Sequence, residues 1–265
     1  MKITIIGAGN MGGALAKGWT KVATNDNIDI TVTARSQSTL DKIKVASPTL
    51  HCSQSNTEAI QGASIIVLAV KPWLIGNVVE EIRHSINADN QIIVSVAAGI
   101  TTDKLAEMFK GAPLPPLYYA MPNIAAEYGE SMTFVAAAAN CTDQQTKSVA
   151  DLFRLVGQVK VCEERMIAPG MMMAGCGIAY VMRYLRAQME GGVEMGFYPA
   201  DALNIAMQTM QGAVTLLKET GLHPEVAIDK VTTPGGTTIK GLNELDHAGF
   251  NSAVIRSLKA GLKKD

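Results

Sequence analysis

The chain of 265 residues is long enough for one large or two smaller hydrophobic cores, and its 48% hydrophobic and 18% charged content excludes a disordered polymer. A formal net charge of −1 with 5% aromatic residues offers no global field for nucleic acid or anionic lipid and few stacking platforms for single strands. Cys52, Cys141, Cys162 and Cys176 form no Cys-x-x-Cys pair and the four histidines show no ligand spacing, so reduced thiols and no metal are expected. The apolar start at residues 3–6 is too short for a signal peptide, and no consecutive apolar run approaches the roughly 20 residues that span a bilayer. A cytoplasmic protein with no membrane partner is the expectation.

Residues 2–6 read as a strand and 11–22 as a helix. Residues 28–34 alternate apolar and polar side chains, as a second strand does. The runs SIIVLAV at 64–70 and QIIVSV at 91–96 are nearly continuous in β-branched residues, which suits strands buried on both faces of a parallel sheet. Helical spacing fills 73–86 between them, and further strands are expected at 131–139 and 158–162. This alternation predicts an α/β fold: a Rossmann-type doubly wound sheet over residues 1–163.

From residue 164 to 265 methionine, alanine and glycine replace the β-branched runs. Ile178, Met182, Leu185 and Met189 share one face of a helix, with Arg183, Arg186 and Glu190 on another. Pro199 precedes a helix at 200–219, and shorter helices are expected at 238–246 and 251–262. This second domain is therefore all-helical. Methionine is an adaptable filler of cores and interfaces. A half this rich in small and apolar residues calls for a second chain, so a homo-oligomer is expected, a dimer through this domain.

Gly7-Ala8-Gly9-Asn10-Met11-Gly12 is a G-x-G-x-x-G directly after a strand and before a helix, the context that a dinucleotide requires. Gly7 permits the tight turn, Gly9 lets the backbone approach a pyrophosphate, and Gly12 lets helix and strand pack. Asn10 and Met11 open the helix whose free N–H groups meet that pyrophosphate. At the end of the second strand an NAD enzyme usually carries an acid for the ribose 2′-hydroxyl. Here stand Arg35, able to pair with a 2′-phosphate, and Ser36, able to donate to it. NADPH is expected, with NADH as the alternative. Two further strand ends, at Val70-Lys71-Pro72 and at Ala97-Ala98-Gly99, belong to the same edge. Their small residues leave room for a nicotinamide ring. Lys71 either serves the cofactor or packs its stem across the strand end.

The stretch Val231-Thr232-Thr233-Pro234-Gly235-Gly236-Thr237-Thr238 leads into a helical pattern. It is either a nest of N–H groups that binds a carboxylate or an ordinary helix cap, and residue physics alone favours the cap. Residues 231–246 resemble, position by position, the signature of the pyrroline-5-carboxylate reductase family. The glycine loop, Ala69-Val70-Lys71-Pro72, Ala97-Ala98-Gly99, Met121-Pro122-Asn123 and Gly192-Val193-Glu194-Met195-Gly196 are also similar to that family. The resemblance implies hydride transfer from NADPH to the C=N carbon of a cyclic imine carboxylate, 1-pyrroline-5-carboxylate, giving proline. It implies that Gly236, Thr237 and Thr238 hold the carboxylate and that the Thr238 hydroxyl, the catalytic candidate, meets the ring nitrogen. Threonine is too weak an acid to be the ultimate proton source, so it would orient the imine or relay a proton from water. The resemblance also places Asn56 near the cofactor and Glu164 near the substrate at the domain junction, and it implies interwoven dimers that can assemble into rings.

The chain departs from the family pattern at Tyr119, Ala174, Cys176, Ile178 and Lys230, which removes hydroxyls and an arginine. A relative acting on another cyclic imine or a small oxo or hydroxy acid is one rival, and a non-catalytic NADP-binding regulator is another. A hydroxyacid dehydrogenase usually needs a cationic or histidine acid facing the carbonyl, and neither His223 nor His247 has a claim to that role.

Overall fold

The computed structural model describes residues 1–26 and 28–262. It divides into two compact units, Met1–Gly175 and Cys176–Asp265.

The first unit alternates strands and helices: β1 (Lys2–Ile6), α1 (Asn10–Asp26), β2 (Asp29–Thr33), α2 (Gln37–Ala46), β3 (His51–Ser53), α3 (Asn56–Ala59), β4 (Ile65–Leu68), α4 (Ile75–Ile82), β5 (Ile92–Ser95), α5 (Thr102–Met108), β6 (Leu117–Met121), β7 (Ser131–Ala137), α6 (Asp143–Arg154), β8 (Gly157–Val161) and α7 (Ile167–Gly170). Among the described residues the strands form one sheet in the order β3-β2-β1-β4-β5-β6-β7-β8. Every pairing is parallel except β6 with β7. The expected doubly wound sheet is therefore present, with one antiparallel step and with two strands, β3 and β6, that the residue pattern does not announce.

Side chains alternate across the sheet, as the pleat requires. Ile3, Ile5, Val67 and Val94 join Trp19 and Phe153 on one face, while Ile6, Ile66, Leu68 and Ile93 join Val79 and Phe109 on the other. Both faces being covered explains why β4 and β5 read as nearly continuous apolar runs. Trp19 is buried, its indole N–H donating to the Leu152 carbonyl at 2.9 Å, and its ring meets Phe153 edge-on at 5.3 Å.

The boundary between the units lies twelve residues beyond the expected 163/164 division. The physical reason is a third cluster, in which Ile167 packs with Tyr119, Met121 and Ala136, against Phe134 and Met171. Gly170 sits so near the Phe134 ring that an added Cβ would lie 2.6 Å from it. A helical start at residue 164 is therefore compatible with membership of the sheet's core.

The second unit is helical throughout: α8 (Gly177–Glu194), α9 (Pro199–Thr220), α10 (Pro224–Asp229), α11 (Thr237–His247) and α12 (Phe250–Ala260). A π-helical segment, Met171–Cys176, leads into it. Gly192 of α8 faces Ala202 of α9 closely enough that a Cβ there would lie 2.9 Å from the alanine methyl. By length and composition, the continuous helical stretch Glu164–Glu194 is apolar enough to cross a membrane. Counting consecutive apolar residues does not register it, because polar residues interrupt the run.

Candidate functional site

The glycine loop joins β1 to α1. Gly7 has φ +107°, a region that L side chains avoid. A Cβ there would lie 2.8 Å from Val70 Cγ1 and 2.9 Å from the Ala69 carbonyl oxygen, and one on Gly12 would lie 1.9 Å from the Gly7 carbonyl oxygen. Turn and helix thus close on each other only without side chains. At Gly9 no atom stands within 4 Å of an added Cβ, so the protein itself leaves that position open. Gly13 N–H donates to the Gly9 carbonyl at 2.7 Å, which opens the helix and leaves the amides of Asn10, Met11 and Gly12 without helical acceptors. An open approach over free helix-start amides fits a pyrophosphate. A groove of about 430 Å³ begins at Gly9 and Asn10 and runs past Lys17, Thr39 and Lys42 between α1 and α2.

Strand register brings the expected cofactor residues to one edge. Ile6 stands beside Thr33 and Leu68, and Leu68 beside Ser95. The residues that follow each of these strand ends therefore emerge side by side. After β2, Arg35 and Ser36 are exposed. The Arg35 carbonyl accepts from the Gln54 side chain at 3.1 Å, and among the described residues its guanidinium joins none of the salt bridges. Ser36 caps α2 by position but its hydroxyl makes no cap hydrogen bond, sharing one with Ser38 at 2.7 Å instead.

Asn56 starts α3 with both ends of its amide engaged. Its Oδ1 accepts from Thr33 Oγ1 at 2.6 Å and its Nδ2 donates to Glu81 Oε2 at 2.8 Å. The side chain is fixed at the β2 end by the protein's own groups. Lys71 is exposed and precedes the 3-10 turn Pro72–Leu74.

After β5, Ala97 is buried while Ala98 and Gly99 are exposed. Gly99 takes φ +77°, and the turn closes through Ile100 N–H donating to the Ala97 carbonyl at 3.2 Å. The Gly99 N–H donates to the Tyr119 hydroxyl at 2.8 Å, and Lys104 Nζ donates to the Gly99 carbonyl at 3.1 Å. Glu164 lies close by with its carboxylate in use. Thr102 donates to it through its backbone N–H at 3.1 Å and its hydroxyl at 2.5 Å, so the carboxylate closes the N-terminus of α5. Burial pushes the Tyr119 hydroxyl pKa up, the Gly99 N–H opposes that, and the Glu164 charge adds to it. Neither contact was legible in the sequence, where Tyr119 registers only as a departure from a motif.

In the second unit, Thr233 to Gly236 form a turn in which Gly236 N–H donates to the Thr233 carbonyl at 2.9 Å. Pro234 and Gly235, at φ +72°, occupy its central positions, the residue types a type II turn favours there. Gly236 is the N-cap of α11 and has no side chain to offer, and no side-chain cap hydrogen bond forms. Thr237 and Thr238 are the exposed first residues of the helix. The amides at this helix start are therefore open, which favours the nest over the ordinary cap.

Residues 164–265 match the family model for pyrroline-5-carboxylate reductase dimerisation. Residues 2–99 match the model described as NADP oxidoreductase, coenzyme F420-dependent. The apolar stretch Glu164–Glu194 lies inside the first of these matches. Pyrroline-5-carboxylate reductase of Escherichia coli (strain K12) is 34% identical, with 99% of this chain and 96% of the relative aligned. Pyrroline-5-carboxylate reductase 1 of Dictyostelium discoideum is 35% identical over 97% of this chain, which spans about half, 48%, of that relative's length. The crystal structure of Plasmodium falciparum pyrroline carboxylate reductase with NADP bound superposes with a TM-score of 0.87 at 27% identity, covering 98% of this chain and 95% of that one.

Proposed function

The chain belongs to the pyrroline-5-carboxylate reductase family, and from that premise we propose that it reduces 1-pyrroline-5-carboxylate to L-proline with NADPH. The observation that carries this reading is the start of α11, where a side-chain-free N-cap leaves amides open beside the Thr238 hydroxyl. A carboxylate sits on the amides of Thr237 and Thr238, favoured by the helix dipole. Gly236 is demanded by the turn itself, since an added Cβ would lie 2.5 Å from Thr233 Oγ1. The Thr238 hydroxyl hydrogen-bonds the ring nitrogen and relays to it a proton taken from water.

When bound, NADPH supplies the hydride. The chain's own residues hold its parts. Asn10, Met11 and Gly12 give N–H groups to the pyrophosphate over the open Gly9. Arg35 pairs with the 2′-phosphate and Ser36 donates to it. Asn56, locked by Thr33 and Glu81, lines the β2 end. Val70, Lys71, Pro72, Ala97 and Ala98 border the nicotinamide. Glu164 acts on the substrate's surroundings through Thr102, since that residue occupies its carboxylate. Much of the rate comes from positioning. The active form is a homo-oligomer built through the helical unit, working in the cytoplasm.

The test is turnover. Purified protein with NADPH and racemic pyrroline-5-carboxylate should consume the reduced cofactor's absorbance and yield proline. Tight NADPH binding without turnover overturns the proposal. Faster consumption with another cyclic imine carboxylate would keep the reaction and change the substrate, which is where the departures at Ala174, Cys176, Ile178 and Lys230 bear.

A further inference from the structure

We propose that Tyr119 is a positioning residue for the nicotinamide end of the cofactor, acting through the backbone of the turn that follows β5. The inference rests on the assignment of Ala97 and Ala98 to that end. Tyr119 stands on β6 directly beside Ser95, the last residue of β5. Tyr119 is 5% exposed and packs with Met121, Ala136 and Ile167. The ring is thus anchored in the core, and only the hydroxyl reaches the turn, where it accepts the Gly99 N–H at 2.8 Å.

That bond fixes a whole peptide plane. The peptide between Ala98 and Gly99 is planar and trans, so its N–H and C=O point in opposite directions. With the N–H held on a buried phenol, the Ala98 carbonyl is held facing away from that phenol, and Ala98 is itself exposed. It is then a preset acceptor for the carboxamide N–H of a nicotinamide ring.

An exposed glycine amide needs no protein partner, because water can satisfy it. At φ +77° the glycine also has ample freedom to turn that plane. A rigid acceptor from the core removes this freedom. The rest of the turn is held independently: Lys104 binds the Gly99 carbonyl and Glu164 binds Thr102 at the start of α5. The Ile100–Ala97 bond closes the turn around the Ala98–Gly99 peptide but is compatible with either orientation of it, so among the described residues the Tyr119 hydroxyl is the side-chain contact that selects one.

The experiment uses the full chain, Tyr119→Phe, and two ligands: NADPH and adenosine 2′,5′-bisphosphate, which lacks the nicotinamide. Loss of one hydrogen bond should weaken NADPH about three- to tenfold and leave the bisphosphate unchanged. Because the ring stays packed, the melting temperature should fall by no more than a few degrees, about what one exposed-side hydrogen bond is worth. The Gly99 amide should exchange with solvent at least about tenfold faster in the variant, while Ile93 and Val94 within β5 keep their protection. Equal weakening of both ligands, or of neither, overturns the proposal. So does a Gly99 amide that exchanges freely in the unsubstituted protein, a measurement that needs no variant. Unsubstituted protein that binds NADPH no more tightly than the bisphosphate overturns the nicotinamide assignment, and this inference with it. None of these readouts depends on turnover of the imine.

Discussion

At Gly12 an added methyl would stand 1.9 Å from the Gly7 carbonyl oxygen, whereas at Gly9 it would meet no atom within 4 Å. Packing therefore requires Gly12 and places no such demand on Gly9. Gly12→Ala must push α1 off its loop, an overpacking cost of about 1–3 kcal/mol, and should lower the melting temperature and NADPH affinity together. Gly9 has no positive φ among the glycines that do, so Gly9→Ala should leave the melting temperature unchanged or slightly higher, since alanine restricts the unfolded chain by about 0.4–1 kcal/mol. It should still weaken NADPH, because the methyl fills the space a pyrophosphate needs. Equal melting losses in the two variants would show that Gly9 serves packing. Arg35 offers a second separation. Its guanidinium is exposed, so Arg35→Ala should leave stability untouched and raise the Michaelis constant for NADPH about tenfold, at the low end for charged hydrogen bonds, with NADH unaffected. Parallel effects on both cofactors would remove the 2′-phosphate from its role. Thr238→Ala should cut turnover by about tenfold to a hundredfold, below the range of full acid catalysis, without weakening NADPH. Equal effects on both would make Thr238 structural.

Elements were legible in proportion to how strongly burial stamped a period on them. β1, β4 and β5 are covered on both faces, so their sequences are mostly apolar, broken in β1 by Lys2 and Thr4 and in β5 by Ser95, and their limits fall within two residues of expectation. β3 has three residues, His51–Ser53, too few to show alternation. β6 follows Pro115 and Pro116, turn-forming residues that mask the buried LYYAM run. The antiparallel step at β7 is illegible without β6. Residues 122–130 link the two strands, and a parallel crossover needs a dozen or more residues, so finding β6 would have given the orientation. The glycine loop could be read because its spacing is local. The Tyr119–Gly99 contact could not, because it depends on the β5–β6 register. Capping shows the same locality. Thr142 accepts from the Gln145 N–H at 3.2 Å, and the Gln145 side chain accepts from the Thr142 N–H at 2.8 Å, closing the start of α6. Thr142→Ala should cost about 1 kcal/mol and lower the melting temperature by about 2–4 °C. NADPH affinity should not move, because α6 lies away from the strand ends proposed to hold the cofactor; a cofactor defect in this variant would contradict that placement.

On the scale of the whole molecule, the two units differ in what holds them. The α/β unit has large side chains such as Trp19, Phe109 and Phe153 fully inside. In the helical unit, among the described residues, the buried apolar side chains are Ala202 and Ala206 alone. Ordering each residue costs about 1–2 kcal/mol of conformational entropy, and two methyl groups cannot offset that for a helical unit of this size. The larger apolar side chains are outside instead, with Met182 of α8 at 53% and Ile255 of α12 at 56% exposure. Met182 belongs to the face that Ile178, Leu185 and Met189 share, so that face is only partly covered by its own chain. A second copy of the chain is the cover that the dimerisation match supports. Light scattering should therefore give a dimer or a multiple of it, and the melting temperature should rise with protein concentration, as mass action requires. Met182→Glu would place a charge on the face to be buried, so it should release monomers, lower the melting temperature and abolish turnover, since the loop before α11 is part of the same unit. NADPH affinity should survive, because the glycine loop and the strand ends rest on the independent core of the α/β unit. A monomeric variant that kept its melting temperature and turned over the imine would separate assembly from catalysis and refute this account.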